Sequence, residues 1–305
     1  MLQSVSSVFM VRPAVFYSNP ETAASNAFQQ GGNVMPDLET VWSEFDALVF
    51  ALQNEGVQVH VFQDTANPPK PDALFPNNWV GLHENGIRVY YPMEASNRRI
   101  EKNEAVCSFI DQIAPSIETV DYTGAVSENC YLEGTGSLIF DYLNKRVFAS
   151  LSSRTNDVLA LQVAKHLGYE PVIFDAFDAN KTAYYHTNVL LSIGTRFAIV
   201  CSEAIPTEQR KKVLDSLAFE GRTIIEITRD QVNAFAGNVL ELRNYLDELL
   251  IVISSVALDA LSGEQLAVLQ RSGLLIAANI PTIEKFGGGS VRCMLAEIRS
   301  IQHNN

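Results

Sequence analysis

Short apolar runs recur along the chain in a fixed order: strand, tight turn, strand, helix, strand. Asn78-Trp79-Val80-Gly81-Leu82 is followed by the hairpin signal Glu84-Asn85-Gly86 and then Ile87-Arg88-Val89-Tyr90-Tyr91. A helical pattern runs from about Asn97 to Ile113, and Thr119 to Tyr122 reads as extended. The order repeats with Ser137–Phe140 and Arg146–Ala149, a helix from about Asn156 to Leu167, and a strand at Pro171–Phe174. A third copy opens at Asn188–Leu191 with Phe197–Val200, and a fourth at Asn238–Leu242. A fifth opens at Cys293–Glu297 and runs out of chain. Val8–Arg12, a helix from about Leu38 to Gln53, and Gln58–Phe62 supply what it lacks.

The leading positions are 78, 133, 188, 238 and 293, a period of 50 to 55 residues. Such a period points to a propeller or array. The expected fold is α/β, a five-bladed pseudo-symmetric ring of ββαβ units. Residues 1–305 then form one domain whose last blade is closed by the N-terminal segment. In such a ring Asn78, Glu133, His186 with Asn188, Asn238 and Cys293 converge at one end of the axis. Any one of them alone reads as a local turn residue; five in phase, with Cys, His and Glu among them, read as a site.

Composition narrows the classes. The 305 residues are 47% hydrophobic and 19% charged, as in a globular protein with a sizeable core. A net charge of −13 argues against nucleic acid as a partner. Cys107, Cys130, Cys201 and Cys293 are widely spaced, without a CxxC pair, and so suggest neither a disulfide framework nor a zinc site. No signal-peptide pattern and no membrane-length apolar run is visible. The expectation is a reduced, soluble, cytoplasmic protein with no membrane partner; a homo-oligomer is left open.

Candidate chemistry concentrates in Gly287-Gly288-Gly289-Ser290-Val291-Arg292-Cys293. Glycines allow close backbone approach, and a thiol beside a cation gains thiolate character. The same segment also fits a glycine-rich turn before a buried cysteine.

The order of Phe75-Pro76-Asn77-Asn78, Leu132-Glu133-Gly134, Ser152-Ser153-Arg154-Thr155, His186-Thr187-Asn188 and the glycine-rich cysteine segment resembles the guanidine-modifying (pentein) superfamily. Arginine deiminases, dimethylarginine hydrolases, agmatine deiminases and amidinotransferases belong to it. Asn19-Pro20-Glu21-Thr22, Tyr185-His186-Thr187-Asn188-Val189 and Phe235-Ala236-Gly237-Asn238 are most similar to its amidinotransferase-like branch of citrulline-utilisation hydrolases. The resemblance implies a five-bladed ring and a hydrolase of carbon–nitrogen bonds other than peptide bonds. It requires no metal or organic cofactor.

It further implies Cys293 as nucleophile, His186 as general acid and base, and Glu133 as the group orienting His186. Relatives acting on guanidinium groups carry aspartates where this chain has Asn78 and Asn188. An amide both donates and accepts, which suits a neutral ureido group, so citrulline is the expected substrate. Alternatively Asp72 supplies the charge and the substrate remains guanidino. By the same resemblance Arg98 and Arg154, each placed at a helix start, hold the substrate's α-carboxylate, with Arg99 as the alternative to Arg98. Asp72 lies near the substrate amine, and Phe75 packs against the flat ureido group. The rival readings are an arginine deiminase or amidinotransferase using the same cysteine, and a non-catalytic binding protein on the same ring.

Overall fold

The computed structural model describes residues 2–32 and 34–299. β1 (Ser7–Arg12) and β2 (Gln58–Gln63) run parallel, joined through the helix Leu38–Asn54. Three units follow in sequence: β3 (Val80–His83), β4 (Ile87–Tyr90) and β5 (Glu118–Asp121); β6 (Ile139–Asp141), β7 (Arg146–Ser150) and β8 (Glu170–Phe174); β9 (Leu191–Ile193), β10 (Phe197–Val200) and β11 (Thr223–Glu226). A fourth contains β12 (Leu240–Arg243), β13 (Leu249–Ser254) and β14 (Leu274–Ala278), and β15 (Ala296–Glu297) returns to pair antiparallel with β1. Each unit is a three-stranded sheet in which the first two strands are antiparallel and the last two parallel. The fold is therefore the α/β ring of five ββαβ blades expected from the period.

Central strands are mostly apolar because both faces are covered: all four residues of β10, and Leu250 to Ser254 of β13, are buried. The helix between each blade's second and third strands presents one apolar stripe inward. Val106 and Ile110 serve in Glu104–Ile113, and Leu159, Ala160, Val163 and Ala164 in Asp157–Leu167. Asparagines start both helices. Asn103 accepts from the Val106 N–H at 3.2 Å and Asn156 from the Leu159 N–H at 3.0 Å, each cap being worth about 1 kcal/mol.

Polar contacts stitch neighbouring blades. Arg222 pairs with Asp141, Thr195 Oγ1 donates to Glu241 at 2.6 Å, Val5 bridges to Leu242, and Leu82 bridges to Ile298. Lys145 and Glu84, 3.5 Å apart, link the first and second sequential blades.

Two expectations are corrected. The polar residue leading each unit does not open the strand. In four units it lies on or beside a short helical turn, Pro76–Asn78, Gly134–Ser137, Thr187–Val189 or Val291–Met294, and Asn238 follows a hydrogen-bonded turn in which its N–H donates to Phe235 O at 2.8 Å. Turn hydrogen bonds such as Trp79 N–H to Pro76 O satisfy the backbone there, so the strand starts about two residues later. The helix expected from Asn97 is two elements: a 3₁₀ stretch, Ser96–Glu101, and then the capped helix Glu104–Ile113. Arg98 thus sits in the 3₁₀ stretch, and Arg154 lies two residues before the cap Asn156 of the helix Asp157–Leu167.

Candidate active site

The turns that lead the blades meet at one end of the ring. Cys293, buried on the turn Val291–Met294, lies under two side-chain amides. Asn188 Nδ2 and Asn238 Nδ2 each stand 3.4 Å from its sulfur. Arg292 does not face the thiol. Its guanidinium donates to Leu295 O at 2.9 Å and to Glu297 at 2.9 Å, at the opposite end of the ring's interior. The adjacent-cation argument for Cys293 therefore fails. Successive residues of a helical turn project about 100° apart.

His186 Nε2 is 2.8 Å from Glu133 Oε2. Burial and neighbouring charges act oppositely on Glu133. Burial raises its pKa, but the Arg154 charge, 3.6 Å away, and the His186 hydrogen bond bring it down to about 2. Burial dominates His186 and lowers it to about 4, against the pull of Glu133. The pair at rest is a carboxylate and a neutral imidazole. A carboxylate only accepts, so the ring proton sits on Nε2 and the lone pair on Nδ1. Glu133 Oε1 also accepts from the Glu94 N–H at 3.0 Å, which fixes the carboxylate plane.

A second buried charge cluster forms the other wall. Arg98 forks onto Glu101 (2.8 and 3.0 Å), donates to Asn78 Oδ1 at 2.8 Å and lies 3.8 Å from Asp72. Asp72 accepts from Asn19 Nδ2 at 2.7 Å through Oδ2, while its buried Oδ1 has no partner. Burial raises Asp72 despite Arg98, and raises Glu101 to about 7. Arg154 donates to Ser25 Oγ at 2.7 Å and Thr22 O at 3.0 Å, and sits 5.0 Å from the centre of the Tyr185 ring. Phe75 fills the floor against the glycines: a Cβ on Gly289 would stand 2.9 Å from its ring.

The cleft between these walls is narrow, with a cavity volume of about 20 Å³. Cys293, His186, Asn78, Asp72, Phe75, Arg98 and Arg154 line it. Glu133 stands behind His186, and Asn188 against the sulfur, so all nine residues expected at the site are brought together. Arg99 is turned aside, donating to Met93 O and Glu94 O. The sequence reading assigned no role to Tyr185, Thr22, Asn26 or Glu101. Tyr185 OH donates to Gly288 O at 2.6 Å, and Asn26 Nδ2 donates to the same carbonyl at 3.1 Å. Tyr185 and Thr22 lie inside recognised motifs, so a signal was present. Glu101 becomes visible only through its pairing with Arg98. Among the described residues no group of three or more His, Cys, Asp and Glu is arranged to hold a metal, and no helix is long and apolar enough to cross a membrane.

The family model for N,N dimethylarginine dimethylhydrolase, eukaryotic, matches residues 12–300. The chain belongs to this family. It is a hydrolase of carbon–nitrogen bonds in the guanidine-modifying superfamily. Solved structures share the fold at low identity. The N-terminal domain of ArgZ, an arginine dihydrolase from the ornithine-ammonia cycle in cyanobacteria, is 15% identical with a TM-score of 0.75, over 97% of this chain and 98% of that one. The complex of an AgrE mutant with L-arginine is 15% identical with a TM-score of 0.76, and the match spans 98% of this chain but 41% of that one. A dimethylarginine dimethylaminohydrolase adduct with 4-chloro-2-hydroxymethylpyridine is 15% identical with a TM-score of 0.64, over 97% and 99% of the two chains. No curated protein sequence matches significantly.

Proposed function

We propose that the chain hydrolyses the ureido group of citrulline, yielding ornithine, ammonia and carbon dioxide. The observation that carries this reading is the amide pair at the sulfur. Asn188 and Asn238 offer N–H donors where the reacting carbon's oxygen would lie, and the buried Asn188 Oδ1, without a partner, offers an acceptor for a ureido N–H. A buried acceptor left unpaired is costly, so a ligand that donates to it is favoured. At the other end Asp72 Oδ1 is free to take an α-ammonium. Arg154 Nη1, whose contact with Glu133 is 3.6 Å, is the available donor for an α-carboxylate.

The chemistry follows from the neutral His186. The thiol proton passes to Nδ1 and sulfur bonds to the ureido carbon. Charge then moves to the oxygen under the two amides, an oxyanion-type stabilisation. Collapse breaks the bond to the side-chain nitrogen, which takes the proton from His186 and leaves as ornithine. Water, giving a proton to His186, attacks the S-carbamoyl carbon. The C–S bond breaks, sulfur recovers the proton, and carbamic acid departs to become ammonia and carbon dioxide.

A second reading, arginine as substrate, draws on the charge of the cleft. Asp72, Glu94, Glu101 and Glu133 face two arginines, an acidic excess that a guanidinium would relieve. The arginine dihydrolase and dimethylarginine hydrolase among the structural relatives point the same way. Ammonia release from citrulline, arginine, agmatine and dimethylarginine, with Cys293→Ala as control, separates them. Citrulline turnover lost in the variant is expected. Arginine turnover without citrulline turnover would refute the ureido assignment while keeping the nucleophile.

A further inference from the structure

Asn238 is fully buried and every polar atom of its side chain is engaged around the nucleophile. Oδ1 accepts from the Arg292 backbone N–H at 3.0 Å, in the turn that carries Cys293. Nδ2 donates to Asn188 O at 3.0 Å, in the turn that leads the neighbouring blade, and faces Cys293 Sγ at 3.4 Å. One side chain thus ties three blades together at the sulfur.

The surroundings explain why such a group is needed. Glu133, Asp72 and Glu101 are buried carboxyls around the same cleft, and each is paired with Arg98 or Arg154 rather than with the sulfur. The adjacent cation Arg292 is paired with Glu297 at the other end of the ring's interior. The polar side chains that reach the sulfur are the two amides. A neutral donor holds charge on sulfur without neutralising the nucleophile.

We propose that Asn238 is a positioning residue for the nucleophile, aiming Cys293 Sγ and supplying one of the two N–H donors that favour its thiolate. The inference rests on Cys293 being the nucleophile of the proposed hydrolysis, and it does not depend on which substrate is used.

Asn238→Leu is nearly isosteric and neutral, so it removes the donor without adding a charge that would itself disfavour a thiolate. The measurement is the rate of Cys293 alkylation by iodoacetamide in the native protein as a function of pH, resolved from the other cysteines by mass spectrometry. The midpoint of the profile is expected to rise by about one pH unit, with labelling near neutrality about tenfold slower, the loss of one hydrogen bond to a charged acceptor. A simple latch between turns would lower the melting temperature and leave the midpoint in place, and that outcome overturns the proposal. If Asn238→Leu does not fold, Asn238→Ser decides: its shorter hydroxyl should give a smaller upward shift, and an unmoved midpoint again overturns the inference. No substrate takes part. Inactivity on citrulline with a shifted midpoint would therefore remove the substrate assignment alone, and citrulline turnover with an unmoved midpoint would remove this inference alone.

Discussion

Glu133 and His186 show how one residue's burial sets another's protonation, and the sign of the effect is open to test. Glu133 titrates near 2 in the fold, against an ordinary value of 4.5. Its contribution to stability is therefore complete above 4.5 and is lost as pH falls toward 2. His186, lowered from 6.5 to about 4, remains neutral in the fold where the unfolded chain binds a proton, so it too weakens the fold as pH drops from 6.5 to 4. In Glu133→Gln the first contribution is gone. The difference in melting temperature between wild type and variant should be largest near neutrality and shrink below 4.5; a constant difference through that window would show the charge contributes nothing. Turnover should fall roughly 10²- to 10⁴-fold, the usual worth of general acid–base assistance. At this scale residue types in phase were legible along the chain, but not their partners. Cys293, His186 and Glu133 could be picked out because each leads a repeat. Arg98 and Arg154 could be placed at the cleft, yet their ties to Glu101, Ser25 and the Thr22 carbonyl could not be foreseen. For Arg154 those ties cross 129 and 132 positions of chain. Arg292 misled because chain neighbours on a helical turn point in different directions.

Elements were easier to read where one physical signal dominated. The apolar Phe197–Val200 is β10 as expected, and the amphipathic run from Leu38 became the helix Leu38–Asn54. The reading failed at the turns that carry the chemistry, since a four-residue turn has too few positions to show a period. In the turn Gly134–Ser137, Gly136 lies where the second and third blades' turns press on the first. A Cβ there would stand 2.6 Å from Asn78 Nδ2 and 2.7 Å from the His186 ring. Neither neighbour can yield easily, because Arg98 holds Asn78 and Glu133 holds His186. Gly136→Ala should therefore displace the imidazole and cut kcat by about tenfold or more, as misplacement of a catalytic group does, while the circular dichroism spectrum stays native. Unchanged kcat would mean that the turn is looser than these contacts require.

The whole molecule holds the site because the ring is closed by residues far apart in sequence. β1 lies between β2 and β15, Val8 to Met10 are fully buried, and Gln3 bonds to Phe140 O, Ile193 O and the Tyr142 N–H across two other blades. Three-stranded sheets with strands of two to six residues are too small to stand alone, so each blade depends on its neighbours. The period in the sequence carried the number of blades, but nothing local indicated the inter-blade staples. The test is cooperativity. Thermal unfolding should give one transition with equal calorimetric and van't Hoff enthalpies. Arg222, forked onto Asp141 between two blades with both side chains fully buried, then becomes a lever on the entire ring. Arg222→Met leaves Asp141 as an uncompensated buried charge and should cost about 3–5 kcal/mol in denaturant unfolding. If the ring is one cooperative unit, that cost moves the single transition as a whole and lowers the resistance of Cys293 to denaturant-dependent labelling by the same amount, although Arg222 lies outside the residues lining the cleft. A second transition in the variant, with Cys293 still protected, would show instead that the blades carrying the nucleophile fold independently of the Arg222 staple.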